Sequence, residues 1–140
     1  MRHAALLVVV GLGCFSLGTL AAQTPPPAQP AVVVGDLTTP LKALAGDGNV
    51  AISNAVLRDQ PEVRVLHVRV EPGGSRAMHA HGDVKFHLFV PISGSMEITA
   101  DDAHAVAVPA WQPFYMKAGT RHAFHNGGTA PVDILEFFVR

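Results

Sequence analysis

The sequence predicts an all-β protein with a single folded domain, built as a sandwich or barrel of short antiparallel strands. The chain has 140 residues, of which 49% are hydrophobic and 15% charged, enough for one compact core and too little for two. Eleven prolines and thirteen glycines indicate many turns. Segments rich in β-branched and aromatic residues recur about every ten residues between turn sequences, a spacing typical of sandwiches and barrels.

The N-terminal residues 1–22 have the composition of a secretory signal peptide. Arg2 supplies a positive charge, an apolar stretch from Ala4 to Leu20 follows, and the small residues Ala21 and Ala22 form a cleavage site. An uncleaved anchor helix is the alternative, but the apolar stretch contains three glycines and is short for a span of about 20 residues. We therefore expect cleavage and a periplasmic or secreted protein with no stable membrane insertion.

The single cysteine, Cys14, lies inside the apolar part of this segment. The residues before it match a lipoprotein signal poorly, so lipidation is disfavoured. Cleavage would leave a mature chain without a thiol or a disulfide. The proline-rich residues 23–30 cannot form a helix or a central strand and are predicted to be a linker, so the folded domain is assigned to residues 31–140.

The charge balance argues against one class of partner. The formal net charge is -1 at pH 7. A nucleic-acid-binding protein needs a surplus of Lys and Arg on one face to neutralise phosphates, so we expect no nucleic-acid partner.

The first element after the linker is predicted to be a short helical turn. Thr39 suits an N-cap, Pro40 suits the first helical position, and Gly46 is expected to end the turn. Every later element is predicted to be a strand.

The strands begin with a predicted hairpin. Residues 50–57 and 63–70 are β-branched runs separated by a polar segment that contains a proline. Seven further strands are predicted between turn sequences rich in Gly, Pro, Asn and Asp: residues 78–81, 85–90, 95–99, 104–108, 113–116, 122–125 and 132–139.

Three histidines, His79, His81 and His87, lie within nine positions of the chain. Residues two apart in a strand point to the same side, so His79 and His81 would present two imidazoles together. Neutral imidazole suits Fe, Zn, Cu and Ni. The His-x-His pattern is weakly specific by itself, because a metal ion needs further donors from elsewhere in the fold.

The residues around these histidines resemble the first conserved motif of the cupin superfamily. That motif is a glycine, five residues, His-x-His, a short gap, a glutamate, six residues and a glycine. Five residues separate Gly73 from His79, and six separate His87 from Gly94, in register with the motif. The departure is at the carboxylate, because His87 stands where the family has the glutamate.

A later stretch resembles the second cupin motif. Gly119, His122 and Asn126 occupy their expected places, while Lys117 replaces the motif's proline and Trp111 its leading glycine. The two motifs occur in the right order and at a suitable distance, which makes the pair far more specific than either alone.

The resemblance implies a single-domain cupin jelly roll or β-barrel that holds a divalent transition metal. The implied ligands are His79, His81 and His122, pointing into the mouth of the barrel. The identity of the metal stays open among Fe, Mn, Cu, Ni and Zn, and no separate organic cofactor is expected.

His87 is assigned as a fourth metal ligand. In the strand that contains it, His87 and Phe89 share one face, and this face points inward if His79 and His81 do. The alternative is an imidazole that hydrogen-bonds a ligand or the substrate without touching the metal.

The remaining polar residues near the motifs receive less specific interpretations. Asp83 follows a glycine and is expected to be a solvated turn residue. Three histidines are expected on the surface or in ordinary packing: His67, His104 and His125. Three cations are predicted either to hold an anionic substrate at the rim or to be solvated surface charges: Lys85, Lys117 and Arg121.

The aromatic side chains are expected to pack in the core: Trp111, Phe114, Tyr115, Phe124, Phe137 and Phe138. Phe86, Leu88 and Val90 would form an apolar outer face on one strand. That face is interpreted as a homodimer contact or as one side of a sandwich.

Two functions from different classes follow. A dication held by four histidines keeps its full positive charge and binds anionic oxygen donors strongly. Cupins with such sites include dioxygenases, so the first hypothesis is an exported metal-dependent oxidoreductase of the dioxygenase type that acts on a small diketone- or flavonol-like substrate. No catalytic residue is assigned beyond the metal ligands.

The alternative is a non-enzymatic periplasmic module that binds a metal or a small ligand, and the sequence leaves both hypotheses open. An acid–base enzyme is disfavoured, because the nearest carboxylates, Glu97 and Asp83, lie outside the motif positions.

Overall fold

The computed structural model describes residues 37–101 and 103–140. The predictions of a signal peptide, a linker and a domain start at residue 31 lie outside these residues. Within the described part, no helix is long and apolar enough to cross a membrane. Nine strands are present there: β1 (Lys42–Ala43), β2 (Val50–Asp59), β3 (Val63–His79), β4 (Phe86–Pro91), β5 (Ser95–Ala100), β6 (Val106–Pro109), β7 (Phe114–Lys117), β8 (His122–His125) and β9 (Val132–Val139).

The strands form a nearly closed antiparallel barrel, which confirms the predicted all-β jelly roll. The hydrogen-bonded order is β6-β5-β8-β3-β9-β4-β7, with β2 also paired to β3 and β1 to β2. β3 belongs to both sides of the barrel, because its residues 63–70 pair with β9 and its residues 75–79 pair with β8. The end of β3 that carries His79 is therefore brought next to β8.

The core follows the alternation of side chains along the strands. In β9, found where the sequence predicts it, residues Val132, Ile134, Glu136 and Phe138 are buried and the residues between them are half-buried on the outer face. β4 alternates in the same way, with His87 and two other residues inward. Paired inner faces of this kind leave the inside of the barrel apolar except for a few polar side chains.

The predicted helical turn after Thr39 is wrong. Lys42 and Ala43 are extended and pair with β2, and the Leu44 N–H donates to the Ile52 carbonyl at 3.0 Å. Leu44 also packs against the core. A single helical turn is marginal by itself, so pairing with an existing strand and burial of Leu44 outweigh the local capping signal.

The break predicted between the strands at residues 63–70 and 78–81 is also absent, since β3 runs unbroken to His79. Gly73 has φ of 72° and bends the strand locally. A Cβ at Gly74 would lie 2.8 Å from the carbonyl oxygens of Ala51 and Glu71, so the backbone approaches too closely for a larger residue. The separate strand predicted at residues 78–81 does not form. Its first two residues are the end of β3, and His81 lies beyond that end.

The aromatic residues divide between core and surface. Phe124 and Phe138 are buried and Phe114 packs against the core, as expected. The prediction that Trp111 and Tyr115 pack in the core is wrong, because these side chains are 73% and 55% exposed. Trp111 lies in the turn after β6, and Tyr115 pairs with Leu88 on the outer side of the sheet.

The outer face of β4 has the composition expected from the sequence. Phe86, Leu88 and Val90 are half-buried there, and the rings of Phe86 and Tyr115 lie 5.4 Å apart. The homodimer contact assigned to this face stays a prediction.

Candidate metal centre

Three histidines meet at the mouth of the barrel. His79 ends β3, His122 begins β8 directly opposite it, and His81 follows β3 by two residues. One ligand nitrogen from each lies within 4.8 Å of the others. The structure therefore brings together the three residues that the two motifs single out, in a group that can hold one metal ion.

His81 is positioned by a loop rather than by a strand. The Gly119 N–H donates to the His81 carbonyl at 2.8 Å, and Gly119 adopts φ of 77°, in the region that glycine favours. This bond ties the first motif to the second, because Gly119 stands three residues before His122.

Backbone carbonyls orient two of the imidazoles in the same way. The Nδ1–H of His79 donates to the Ala77 carbonyl at 2.9 Å, and the Nδ1–H of His122 donates to the Thr120 carbonyl at 3.0 Å. A carbonyl only accepts, so the proton lies on Nδ1 and the lone pair of Nε2 is left for a ligand. Metal-binding histidines are commonly oriented by such a bond.

Unsatisfied nitrogens cluster at the same place. Six buried side-chain polar atoms of the described residues have no hydrogen-bond partner, and four of them belong to His81, His87 and His122. Each such atom costs about 1–3 kcal/mol when it is left unpaired in the interior. A metal ion bound by His79, His81 and His122 would satisfy the unpaired nitrogens of His81 and His122, so the residues present fit the metal that the cupin resemblance implies.

The imidazoles are held in the form that binds metals. Burial, together with the charge of a protonated His122, lowers the pKa of His79 and of His81 to about 4. The same two causes lower the pKa of His87 to about 3. Burial also lowers the pKa of His122. All four rings are thus neutral near pH 7, as metal ligation requires.

His87 lies on the inner face of β4 and is 1% exposed. Its ring centroid is 5.3 Å from that of His81 and 5.2 Å from that of His122, and the ring stacks on Phe138 at 4.4 Å. It is not part of the group whose ligand atoms lie within 4.8 Å of one another. Its role as a fourth ligand therefore stays a prediction.

Glu136 is the site residue that the sequence analysis misses. It is 5% exposed, and its Oε1 lies 3.9 Å from His87 Nε2. Burial raises the pKa of Glu136 to about 7, and the charge of Arg76 opposes that rise. The lowered pKa of His87 keeps its ring neutral near pH 7, so its contact with Glu136 is not an ion pair.

Glu136 therefore lies nearer to the histidines of the site than the two carboxylates that the sequence analysis considers, Glu97 and Asp83. Glu97, one of the two nearest in sequence, is exposed and contacts His125 at 3.2 Å. Asp83 is exposed in the turn before β4 but lines the cavity at the site. The alternation along β9 could have indicated this position of Glu136. In a strand, Glu136 shares a face with Val132, Ile134 and Phe138, and Asp133 lies on the opposite face.

A cavity of about 230 Å³ opens beside His79 and His81. Its apolar walls include Val84, Phe124 and Phe138, and Glu136 lies on the inner side. The cations that line it are Arg64, Arg76 and Arg140. The three cations predicted for the rim are exposed and are not among the lining residues: Lys85, Lys117 and Arg121.

The other three histidines of the described residues lie outside the metal centre. His104 and His125 are exposed, as expected. His67 is buried on the outer face of the sheet, where its Nε2 lies 2.8 Å from Asp133 Oδ1. Arg69 donates to both oxygens of the same carboxylate, at 3.0 and 2.9 Å.

Comparison with known proteins agrees with this architecture. The family model of the cupin domain matches residues 66–138, just over half of the chain. The polyketide cyclase RemF from Streptomyces resistomycificus is similar in structure, with a TM-score of 0.63 and 20% identity over 71% of this chain and 72% of that one. No curated protein sequence matches significantly.

Two further solved structures are similar at the level of the fold. An RmlC-like cupin from Shewanella frigidimarina has a TM-score of 0.60 and 14% identity, over 73% of this chain and 84% of that one. A predicted oxalate decarboxylase from Thermotoga maritima has a TM-score of 0.58 and 18% identity, over 63% of this chain and 79% of that one.

Proposed function

The chain belongs to the cupin superfamily, and from that premise we propose that it is a metal-dependent enzyme of the dioxygenase type acting on a small enolisable substrate. The observation that carries the proposal is the buried carboxyl of Glu136 next to the histidine cluster, on the wall of a cavity. A site meant only to retain a metal needs no such group. His79, His81 and His122 would hold the ion, with His87 as the fourth ligand.

The metal contributes what the side chains cannot. When bound, it supplies a positive centre for anionic oxygen donors and, if it is Fe, Mn or Cu, the redox capacity for reaction with O₂. The chain's own contribution begins with orientation, because the carbonyls of Ala77 and Thr120 fix the rings of His79 and His122.

Glu136 is placed to take a proton from the substrate. A C–H between two carbonyl groups is acidic, and its removal to a carboxylate oxygen of Glu136 leaves the substrate as an enolate. A base is most effective when its pKa lies near the working pH, and burial brings the pKa of Glu136 to about 7. The apolar walls at Val84, Phe124 and Phe138 keep water away from this step.

The size of the cavity favours a short substrate. Pockets that enclose drug-sized ligands have volumes of about 300–1,000 Å³. The cavity here is smaller, about 230 Å³. It therefore suits an acyclic diketone better than a three-ring flavonol.

A second candidate is a non-enzymatic module that binds a metal or a small ligand. It is favoured by the position of His87 against His81 and His122, because four histidines saturate a tetrahedral ion and leave no open position for substrate. The two candidates predict different behaviour toward oxygen, which makes them separable.

Metal analysis of the purified protein tests the site. We expect one equivalent of a divalent metal in the wild type and a large loss in His79→Ala and in His122→Ala. A wild type without stoichiometric metal, or single variants that keep it, would refute the site. If His87→Ala retains the full metal content, His87 is not a required ligand.

Oxygen uptake with acetylacetone separates the two candidates. An enzyme of the dioxygenase type consumes O₂ in proportion to substrate when loaded with Fe, Mn or Cu. A protein that binds the metal in one equivalent but consumes no O₂ with any small β-dicarbonyl compound, diketone or keto acid, is the binding module.

We also propose that residues 1–22 direct export to the periplasm or beyond. The support is the order of positive, apolar and small residues in that segment. The intact mass of the protein recovered from the periplasmic fraction is expected to correspond to a chain that begins at Ala22 or Gln23. Recovery of the uncleaved chain in the membrane fraction would refute cleavage.

A further inference from the structure

Arg76 is the cavity cation that forms no ion pair with the described residues. Arg64 and Arg140 also line the cavity, but both lie near the carboxylate of Asp59, at 3.8 and 2.9 Å. Among the residues that the structure describes, no carboxylate lies within ion-pair distance of Arg76. An arginine at the wall of a site that forms no ion pair within the protein is available to an anion from outside.

The guanidinium of Arg76 is nevertheless held in place. Its Nη1 donates to the side-chain oxygen of Asn49 at 2.9 Å. The same oxygen accepts the Ala77 N–H at 3.1 Å, and the Asn49 side-chain amide donates to the Ala45 carbonyl at 3.0 Å. The turn between β1 and β2 thus fixes Arg76 through a neutral amide, which orients the cation without neutralising it.

The position of Arg76 relates it to the metal centre. It precedes His79 by three residues in β3 and lines the cavity together with His79 and His81. With a metal bound by the histidines, the cavity would have two positive poles, the ion and a guanidinium with donors left over, in a space that fits only a short molecule. Arginine binds carboxylates through two parallel hydrogen bonds, a geometry that a lone ammonium group does not offer.

We propose that Arg76, positioned by Asn49, binds the carboxylate of the substrate, and that the substrate is a short β-keto acid rather than a neutral diketone. The keto end of such a molecule would lie toward the metal, so this part of the inference rests on the proposed function. Binding of the carboxylate end by Arg76 does not require the metal.

Two ligands of nearly the same size test the proposal. Acetoacetate and acetylacetone differ only in the replacement of a carboxylate by an acetyl group. Their dissociation constants are to be measured by calorimetry on the metal-free protein and on the zinc-loaded protein, because zinc has no redox chemistry and the ligand is not consumed by O₂. We expect the wild type to prefer acetoacetate by about 10–100-fold, the usual range for a charged hydrogen-bonded pair.

The variants assign that preference to Arg76. Arg76→Gln should abolish the preference while zinc content stays at one equivalent, and Asn49→Ala should reduce it in part. The matched control is Arg58→Gln, which removes the same charge from β2 at a position that does not line the cavity. It should leave the preference unchanged and so separates local recognition from net charge.

Each result bears on one of the two proposals. Equal affinity of the wild type for both ligands, or an unchanged preference in Arg76→Gln, overturns the Arg76 subsite. Loss of affinity for both ligands by the same factor in Arg76→Gln also overturns it, because that pattern indicates a structural role. Absence of zinc binding refutes the proposed function but not the subsite, which still requires the metal-free protein to prefer acetoacetate.

Discussion

Glu136 illustrates how one inward side chain changes the chemistry of a site built from neutral imidazoles. Four histidines bind a cation but cannot accept a proton from a substrate while they are coordinated. In the proposed function, the carboxyl of Glu136, which is 5% exposed and lies 3.9 Å from His87 Nε2, would supply that missing capacity. Burial of this carboxyl is costly, because apolar surroundings disfavour its ionised form. A function that needs the group would explain why that cost is retained.

Replacement of Glu136 by glutamine is expected to separate metal binding from turnover. The Glu136→Gln side chain keeps the size and loses the proton-accepting group, so metal content should stay at the wild-type level. Turnover with a small β-dicarbonyl substrate should fall by about 10²–10⁴-fold, the usual contribution of a general base. Oxygen uptake and metal analysis on the same samples measure both quantities.

Glu97→Gln is the matched control, because Glu97 lies exposed on the outside of the barrel beside His125. It should turn over like the wild type. A Glu136→Gln variant as active as this control would contradict the assigned role.

Gly74 lies where the backbone leaves no room for a side chain. A methyl group there would meet two backbone oxygens at 2.8 Å, and backbone atoms cannot move aside cheaply. Gly74→Ala should therefore lower the free energy of unfolding by about 1–3 kcal/mol. Urea denaturation measures this, with Gly82→Ala as control, since nothing lies within 4 Å of a Cβ at Gly82. Equal stability of the two variants would contradict the crowding.

The histidines and the other site residues differ in how far the sequence predicts them. His79, His81 and His122 are predictable because their spacing to glycines is local and repeats a known motif. Arg76 and Glu136 are not, because their place at the cavity depends on how β3 and β9 pair with other strands. Alternation along β9 assigns Glu136 to the inner face, but only the paired strands show that His87 lies next to it.

At the level of elements, strands with a clear alternation were easier to predict than segments whose conformation depends on residues distant in sequence. β9 occupies the predicted residues because eight alternating positions outweigh any local alternative. The segment after Thr39 contains good helix signals and still forms β1, because its partner strand and the burial of Leu44 are distant in sequence. Cap residues predict a helix end only when there is enough helix to cap.

The pairing of β3 with β9 is supported on its outer face by Asp133, which binds Arg69 and His67. Burial raises the pKa of Asp133, but the hydrogen bonds from Arg69 and His67 outweigh it, so the pKa lies below its ordinary value of 3.8. A carboxyl with a depressed folded-state pKa stabilises the fold above its unfolded-state pKa. That contribution is lost as the pH falls through the folded-state value.

Asp133→Asn is therefore expected to destabilise the protein in a pH-dependent manner. The loss should be about 1–2 kcal/mol at pH 7, because Arg69 is partly exposed, and should shrink as the pH falls below about 4. Urea denaturation at pH 7 and at pH 3 measures the difference in the free energy of unfolding between the variant and the wild type. The control is Asp47→Asn, in an exposed turn, which should have little effect at either pH. An Asp133→Asn loss that is the same at pH 3 and pH 7 would contradict the assigned pKa.

On the scale of the whole molecule, the metal centre joins parts of the chain that are far apart. His79, His81 and His87 come from the first motif and His122 from the second, and β8 meets β3 only when the barrel is nearly closed. The site therefore exists only in the folded state. Any ion that binds it shifts the folding equilibrium toward the native protein.

Thermal unfolding should depend on metal accordingly. A free metal concentration 100 times the dissociation constant adds about 2.7 kcal/mol to stability. For a domain of this size that raises Tm by roughly 10–20 °C. Calorimetry with added Zn²⁺ and with a chelator measures the shift, and a His79→Ala/His122→Ala double variant should show none. A wild-type Tm that is independent of metal would contradict the site.

The hydrogen bond from Gly119 to the His81 carbonyl has a consequence for which metal the protein acquires. His81 stands beyond the end of β3, so its position depends on a loop that is synthesised 38 residues later. A chain that crosses a membrane before folding cannot carry an ion with it. If the chain is exported unfolded, as we propose, the barrel would close around whichever metal is available outside the cytoplasm, so the compartment in which folding finishes, rather than the affinity of the imidazoles, would select the ion.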